Sequence, residues 1–160
     1  MALTRLKKHK TIPYINISSV EGTKDWARIG RSTVFDLQLN AQTEENDFIE
    51  DEMPTTEIMY YKPALDQELQ TNKGDEAFDH IYSMFYNLPT GEDVKRDMLI
   101  VFAGDNSDGS NNAWNCRCSL TLTDLDTVAE KVKFTVNINS IERGKVTFDS
   151  TSGEPTFTKN

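Results

Sequence analysis

NCRCSLTLT, residues 115–123, and AEKVKFTVNINSI, residues 129–141, both alternate between apolar and polar side chains. In the first, Cys116, Cys118, Leu120 and Leu122 fall on one side, with Arg117, Ser119, Thr121 and Thr123 on the other. In the second, Val132, Phe134, Val136 and Ile138 oppose Lys131, Lys133, Thr135 and Asn137. A period of two is the strand period, because successive side chains of a strand point to opposite faces. These are therefore two strands with one dry and one wet face each. RGKVTFD, residues 143–149, closes the chain in the same style, and DMLIVFA, residues 97–103, precedes it as a continuous apolar run.

Alternation recurs further toward the N-terminus. Phe35, Leu37 and Leu39 alternate with Asp36, Gln38 and Asn40. EIMYYKPALDQELQ, residues 57–70, reads as a strand whose far end sets Leu65, Gln67 and Leu69 against Asp66, Glu68 and Gln70. One segment breaks the period. In GDEAFDHIYSMFYNLP, residues 74–89, the side chains of Ala77, Phe78, Ile81, Met84, Phe85 and Leu88 share one side of a 3.6-residue wheel. Asp75 is placed to cap this helix, and Asn87-Leu88-Pro89 ends it. His80 falls on its polar side with Asp79, Ser83 and Asn87, where the expectation is a solvated surface residue. Six or more two-faced strands and one helix predict a mainly β protein, an antiparallel sandwich or barrel with one flanking α-helix.

The 160 residues suit one domain with a real core. A net charge of −9 argues against binding nucleic acid for affinity, since neutralising phosphates takes Lys and Arg. No run is long and apolar enough to span a membrane. MALTRLKKHK lacks the apolar stretch of a secretory signal, so the expectation is a chain that stays in the cytoplasm that makes it or leaves by a non-secretory route.

The stretch FAGDNSDGSNNAWNCRCSL, residues 102–120, resembles a metal site at first sight. With Asp105 as the first position of a calcium loop, the sixth is Ser110 instead of Gly and the twelfth is Cys116 instead of Glu. Gly, Asn, Asp and Ser are what a strand-to-strand loop needs. The two cysteines, on the apolar side of a strand, read as small buried hydrophobes, and too few Cys and His accompany them for zinc. A nucleophilic triad would have to use His9 or His80, neither in a segment that forms a pocket. The carboxylates crowd into one loop with nothing to raise the pKa of one member, as acid–base pairs require. The expectation is no catalytic residue, no metal and no cofactor.

Two charged segments remain. Arg5, Lys7, Lys8 and Lys10 lie in an N-terminal arm that is either frayed or ordered against a neighbour. AQTEENDFIEDEMPTT, residues 41–56, carries Glu44, Glu45, Asp47, Glu50, Asp51 and Glu52. Like charges this dense repel, and the segment is expected to be a long extended loop.

The order of these features resembles the major tail tube protein of long-tailed, non-contractile bacteriophages. Trp26, Ile29 and Gly30 come first, then a strand ending in Asn40 and the wording Phe48-Ile49-Glu50-Asp51-Glu52-Met53-Pro54-Thr55-Thr56. A Tyr-rich strand, the amphipathic helix and SIERGKVTFD follow. The likeness runs from about Trp26 to Phe148, and the Phe48–Thr56 wording is its most specific part. It implies a tail-tube β domain over residues 25–150, with an acidic stacking loop at 40–56 and the helix at 75–88. Residues 1–24 would form an N-terminal arm and first strand, and 151–160 a C-terminal tail. Subunits of such a family close into hexameric rings that stack into a tube around a tape-measure protein. Tail terminator and distal tail proteins would be further partners, and DNA would pass through the lumen unbound. The protein would be part of the virion tail after assembly in the host cytoplasm. Glu44, Glu45, Asp47, Phe48, Ile49, Glu50, Asp51 and Glu52 would make the contact between rings, and the N-terminal arm would bridge subunits. Asp36, Gln38, Asp66 and Glu68 are candidates for the lumen wall, with an ordinary solvated sheet face as the alternative. Lys131 and Lys133 are placed on another polar face, outward or against the acidic loop. A tube protein of a contractile tail or type VI secretion machine is one rival reading, and a monomeric β-sandwich binding module is the other.

Overall fold

A computed structural model describes residue 3 and residues 5–20, 22–104 and 108–160. The chain order is β1 (Thr11–Asn16), β2 (Trp26–Arg28), β3 (Ser32–Gln38), β4 (Ala41–Asn46), β5 (Thr55–Tyr61), β6 (Ala64–Gln70), α1 (Glu76–Asn87), β7 (Lys95–Phe102), β8 (Asn111–Asp126), β9 (Lys131–Phe148) and β10 (Pro155–Lys159). All strands except β4 and β5 join one eight-stranded antiparallel sheet in the order β2-β1-β7-β8-β9-β6-β3, with β10 also on β9. The sheet curls into a half-barrel with α1 as its helix, as the alternation and the single 3.6-residue pattern predict.

The spine is the β8–β9 pair, 16 and 18 residues long. Two bulges keep its apolar side in phase. The register slips between Arg117 and Cys118, so Ile141 and Ile138 both pair with inward cysteines although they are three residues apart. A second slip between Leu122 and Asp124 sets Asp124 opposite Lys133. A bulge adds one residue and turns the following side chains over. The core face buries Cys116, Cys118, Leu120, Val132, Phe134 and Val136, together with Leu65 and Leu69 of β6. Ala77, Phe78, Ile81 and Met84 of α1 complete it. Leu88, expected on that face, is exposed because it takes a left-handed φ of 47° and its N–H bonds back to Met84 O at 3.1 Å. Asp75 stands at the N-cap without a capping side-chain bond, and burial raises its pKa.

A second, smaller core explains the continuous run in β7. Met98 and Ile100 face the main core, whereas Leu99 and Val101 pack on the opposite side with Tyr14, Ala113 and Val146. Phe157 of β10 packs against this second cluster, so residues expected as a C-terminal tail form a strand of the sheet. Gly144 makes that strand possible. A Cβ there would meet Thr158 O at 2.3 Å and the Phe157 ring at 2.6 Å.

The expected stretch of one strand over residues 57–70 is two strands broken at Lys62-Pro63. The expected loop at 40–56 is also corrected: six of its residues, Ala41–Asn46, are β4, hydrogen-bonded to β5 in a separate two-stranded sheet. Asn40 makes the entry turn with φ 48°, which Asn tolerates better than most residues. Its Nδ2 donates to Lys62 O at 3.1 Å and its carbonyl accepts the Lys62 N–H at 3.3 Å, which ties the two ends of the hairpin together. The calcium-loop reading began on residues 105–107, which lie outside the described residues.

Two substitutions test the packing. Gln67 is 1% exposed on the core face of β6, with neither side-chain polar atom bonded. An unsatisfied buried amide costs about 1–3 kcal/mol, so Gln67→Met is expected to raise the unfolding free energy by a comparable amount, read as a higher urea midpoint, and a lower midpoint contradicts this account. Gly144→Ala is expected to cost about 1–3 kcal/mol through overpacking. Its signature in hydrogen exchange is faster exchange at 156–159, with β6 and α1 unaffected.

Candidate functional site: a projecting hairpin, a polar sheet face and a basic cleft

The β4–β5 hairpin is the most unusual surface feature. Its strands rise for about 20 Å at the usual strand advance and pair with nothing but each other. Every residue of β5 is exposed, including Ile58, Met59, Tyr60 and Tyr61, and so are Phe48, Ile49 and Met53 at the tip. The register slips between Gln42 and Thr43, which adds twist near the root. Residues 41–61 contain Glu44, Glu45, Asp47, Glu50, Asp51, Glu52 and Glu57 and no Lys or Arg. Glu44 stands directly opposite Glu57, a like-charge pair that disfavours the hairpin on its own. Among the described residues, no ion pair within the chain reaches any of these acids. Among the described residues, one side-chain hydrogen bond forms at the tip, from Thr55 Oγ1 to Asp51 Oδ2 at 3.4 Å. The eight residues singled out from sequence, Glu44 to Glu52 without Asn46, therefore sit together on the outer strand and tip of one hairpin.

The four lumen candidates also come together, on the sheet face opposite the core. Asp36 is directly across from Asp66, and Gln38 Nε2 donates to Asp36 Oδ2 at 3.1 Å. Thr135 Oγ1 donates to Asp66 Oδ1 at 2.9 Å. Glu68 lies between Lys131 and Lys133, with Oε2 and Oε1 at 3.7 and 3.5 Å from their ammonium groups. The two lysines thus share this face and do not occupy another one, which corrects the sequence reading. The cross-strand register decides this, and no single strand shows it. Asp124 and Asp126 stand opposite Lys133 and Lys131, so carboxylates still outnumber ammonium groups on the face.

The arm residues Arg5, Lys7, Lys8 and Lys10 are exposed, and a short 3₁₀ turn at Lys8–Lys10 leads into β1. The arm is tied down where the Ala103 N–H donates to Lys10 O at 2.6 Å.

A third feature has no counterpart in the sequence reading. A cleft of about 440 Å³ opens between the loop after β1, His80 of α1, the start of β7 and Arg117 of β8. Lys24, Lys95, Arg96 and Arg117 line it, against Asp97 as the one carboxylate among the described lining residues, and Lys95 also pairs with Glu92 at 2.5 Å. Asp97 bonds Lys24 and, at 3.0 Å, Arg117. Arg96 Nε donates to His80 Nε2 at 2.9 Å, so His80 is half-buried and bonded instead of solvated. Burial lowers the His80 pKa, and the Arg96 charge lowers it further. Burial also lowers Lys24 and Arg96, with the Arg117 charge adding in both cases. Arg96 is sixteen residues from His80 in the chain, and only the α1–β7 packing joins them.

The cysteines face the core, as their alternation implies. Both are buried and free, and a hydrogen bond with Cys116 together with burial pushes the Cys118 thiol up.

No family model matches the chain, and no curated protein matches it in sequence. Among solved structures, the chain is similar to the sheath/tube terminator of PVC, an extracellular contractile injection system, in its extended state. The TM-score is 0.54 at 10% identity over 89% of this chain and 99% of that one. A component of the anti-feeding prophage baseplate aligns over 91% of this chain and 98% of that one, at 10% identity and a TM-score of 0.46. The first likeness shows a shared fold.

The Arg96–His80 bond gives a pH prediction. His80 holds its proton less well when folded than when unfolded, where the reference pKa is 6.5. The unfolded chain therefore binds more protons just below pH 6.5, and this stabilising contribution is complete above that pH and is lost as pH falls. His80→Gln is expected to flatten the fall in stability between pH 7 and pH 5 relative to the unsubstituted chain. Parallel pH profiles of the two proteins in urea unfolding contradict it.

Proposed function

We propose that the chain is a structural subunit of a phage-like tail, one that closes into rings and stacks them into a tail tube. The single observation that carries this reading is the β4–β5 hairpin. It is long, acidic and apolar at once, and it lacks any partner for its strands within the chain. Exposed apolar surface on a projecting element marks an interaction site, and a two-stranded hairpin is marginal until something packs on it. The fold shared with a sheath/tube terminator supports the same reading.

In this reading the hairpin makes the contact between subunits, with Glu44–Glu52 as its acidic portion. The polar face carrying Asp36, Gln38, Asp66 and Glu68 is the candidate lumen wall. Asp36, Asp66, Glu68, Asp124 and Asp126 against Lys131 and Lys133 leave it net negative, so DNA phosphates would be repelled and would slide. The partners are other copies of the chain, a tape-measure protein, and terminator and distal tail proteins. The location is the virion tail after assembly in the host cytoplasm, and the role is structural and not catalytic. The resemblance in sequence favours the tube of a non-contractile tail. A second reading, a terminator ring that caps a tube, is favoured by the identity of the structural neighbour.

Electron microscopy of the concentrated protein separates these. Hollow filaments with a regular axial repeat support the tube, isolated rings support the terminator, and single particles alone count against both. Replacing residues 44–57 by Asn-Gly joins Thr43 to Ile58, which are already cross-strand partners, through a tight turn. The expected outcome is an unchanged melting temperature within about 2 °C, since the hairpin supports no other strand. Assembly is expected to be lost, and filaments of normal length from this variant contradict the role given to the hairpin.

A further inference from the structure

We infer that the basic cleft lined by Lys24, Lys95, Arg96 and Arg117 receives the hairpin tip of a second copy of the chain. This rests on the proposed tail-subunit reading and adds the receiving surface to it.

Charge complementarity is the first argument. In a chain of net charge −9, four cations converge on one concavity with Asp97 as the sole carboxylate among the described residues that line it. The hairpin is the converse: it is rich in acids, and among the described residues none of them is ion-paired within the chain. Burial is the main reason that the Lys24, Arg96 and His80 pKa values are lowered, and a neighbouring arginine lowers each further, a repulsion that an incoming carboxylate relieves.

Shape and polarity agree with charge. The tip reads Asp47-Phe48-Ile49-Glu50-Asp51-Glu52, two exposed apolar side chains held between acids. The cleft reads likewise, with Ile17 and exposed Val20 beside the cations. Lys95 and Arg117 are half-buried or exposed at its mouth, where Lys95 already pairs with Glu92 at 2.5 Å and Arg117 with Asp97 at 3.0 Å, so a docking carboxylate would share them.

Topology decides that the occupant is another copy. The hairpin leaves the sheet between β3 and β6, at one end of the strand order. The cleft belongs to β1, β7 and the facing part of β8, toward the other end. Among the described residues, no ion pair joins the two within the chain. A contact between two different surfaces is heterologous and propagates from copy to copy, into a closed ring or an open filament.

The test is a charge exchange. Lys24→Glu with Lys95→Glu inverts the cleft and leaves the Arg117–Asp97 and Arg96–His80 bonds in place. Glu50→Lys, Asp51→Lys and Glu52→Lys invert the tip. Each variant alone is expected to need about tenfold more protein, or beyond, to assemble in a sedimentation assay, since facing like charges is costly. An equal mixture of the two is expected to assemble near the unsubstituted concentration, because each tip then meets a cleft of opposite sign. Melting temperatures monitor folding. A cleft variant that assembles normally overturns the inference while leaving the tail reading intact. So does a tip variant rescued by Arg5→Glu, Lys7→Glu, Lys8→Glu and Lys10→Glu instead, which would assign the docking surface to the N-terminal arm. Where the unsubstituted protein forms no filaments, a second readout decides. Ile49→Cys and Val20→Cys proteins are mixed with a short bis-maleimide, the native cysteines being buried. A crosslinked heterodimer that disappears in 0.5 M salt supports the contact, and its absence at low salt overturns it.

Discussion

Everything in this molecule hangs on the pairing of β8 with β9. Two strands of 16 and 18 residues cannot bury the same face along their whole length, because a sheet twists by some 20–25° from strand to strand. The pair therefore serves two clusters. One end of it, with β6 and α1, closes the main core, and the other end, with β7, β1 and β10, closes the smaller core on the reverse face. The bulges at Cys118 and Asp124 keep the main-core side of the pair in phase. β9 is also flanked by different strands at its two ends, β6 beside Lys131–Asn137 and β10 beside Gly144–Phe148. Between them its edge is free of strand partners, and the Ile138 N–H bonds Pro63 O at 3.0 Å. The hairpin departs from the sheet at that gap.

The parts of the structure legible in the sequence are those where one face is dry and the other wet. β6, β8 and β9 announce themselves by alternation, and α1 by its helical period. Where both faces are buried, as in β7, the run shows a strand but not which residue faces which core. Where neither face is buried, as in β4 and β5, there is no alternation at all. An acidic strand of low β propensity then reads as a loop. The sequence reading still brought the right residues of the hairpin together, because charge density and the Phe48–Thr56 wording do not depend on strand assignment. Asn40, a residue suited to a left-handed turn, was the one local sign of a hairpin root.

Relations between strands were not legible. Whether Lys133 shares a face with Glu68 depends on register, and register is a property of the pair. The same holds for the basic cleft. Lys24, His80, Lys95 and Arg117 are scattered along the chain, and each alone is an unremarkable polar residue. Only the packing of α1 against the start of β7 turns Arg96 toward His80. The interactions that give this surface its character are long-range, and a pass along the chain has no access to them.

The position of Phe157 over Gly144 bears on how the chain is made. The reverse-face cluster joins Tyr14, near the start of synthesis, to Val146 and Phe157, near residue 160. The cluster that holds Tyr14 of β1 is completed by Phe157 of β10, so the earliest strand and the latest share one core. Pairings this distant in sequence are slow to form. A chain still being synthesised thus presents an unfinished sheet, whose reverse-face cluster is completed last.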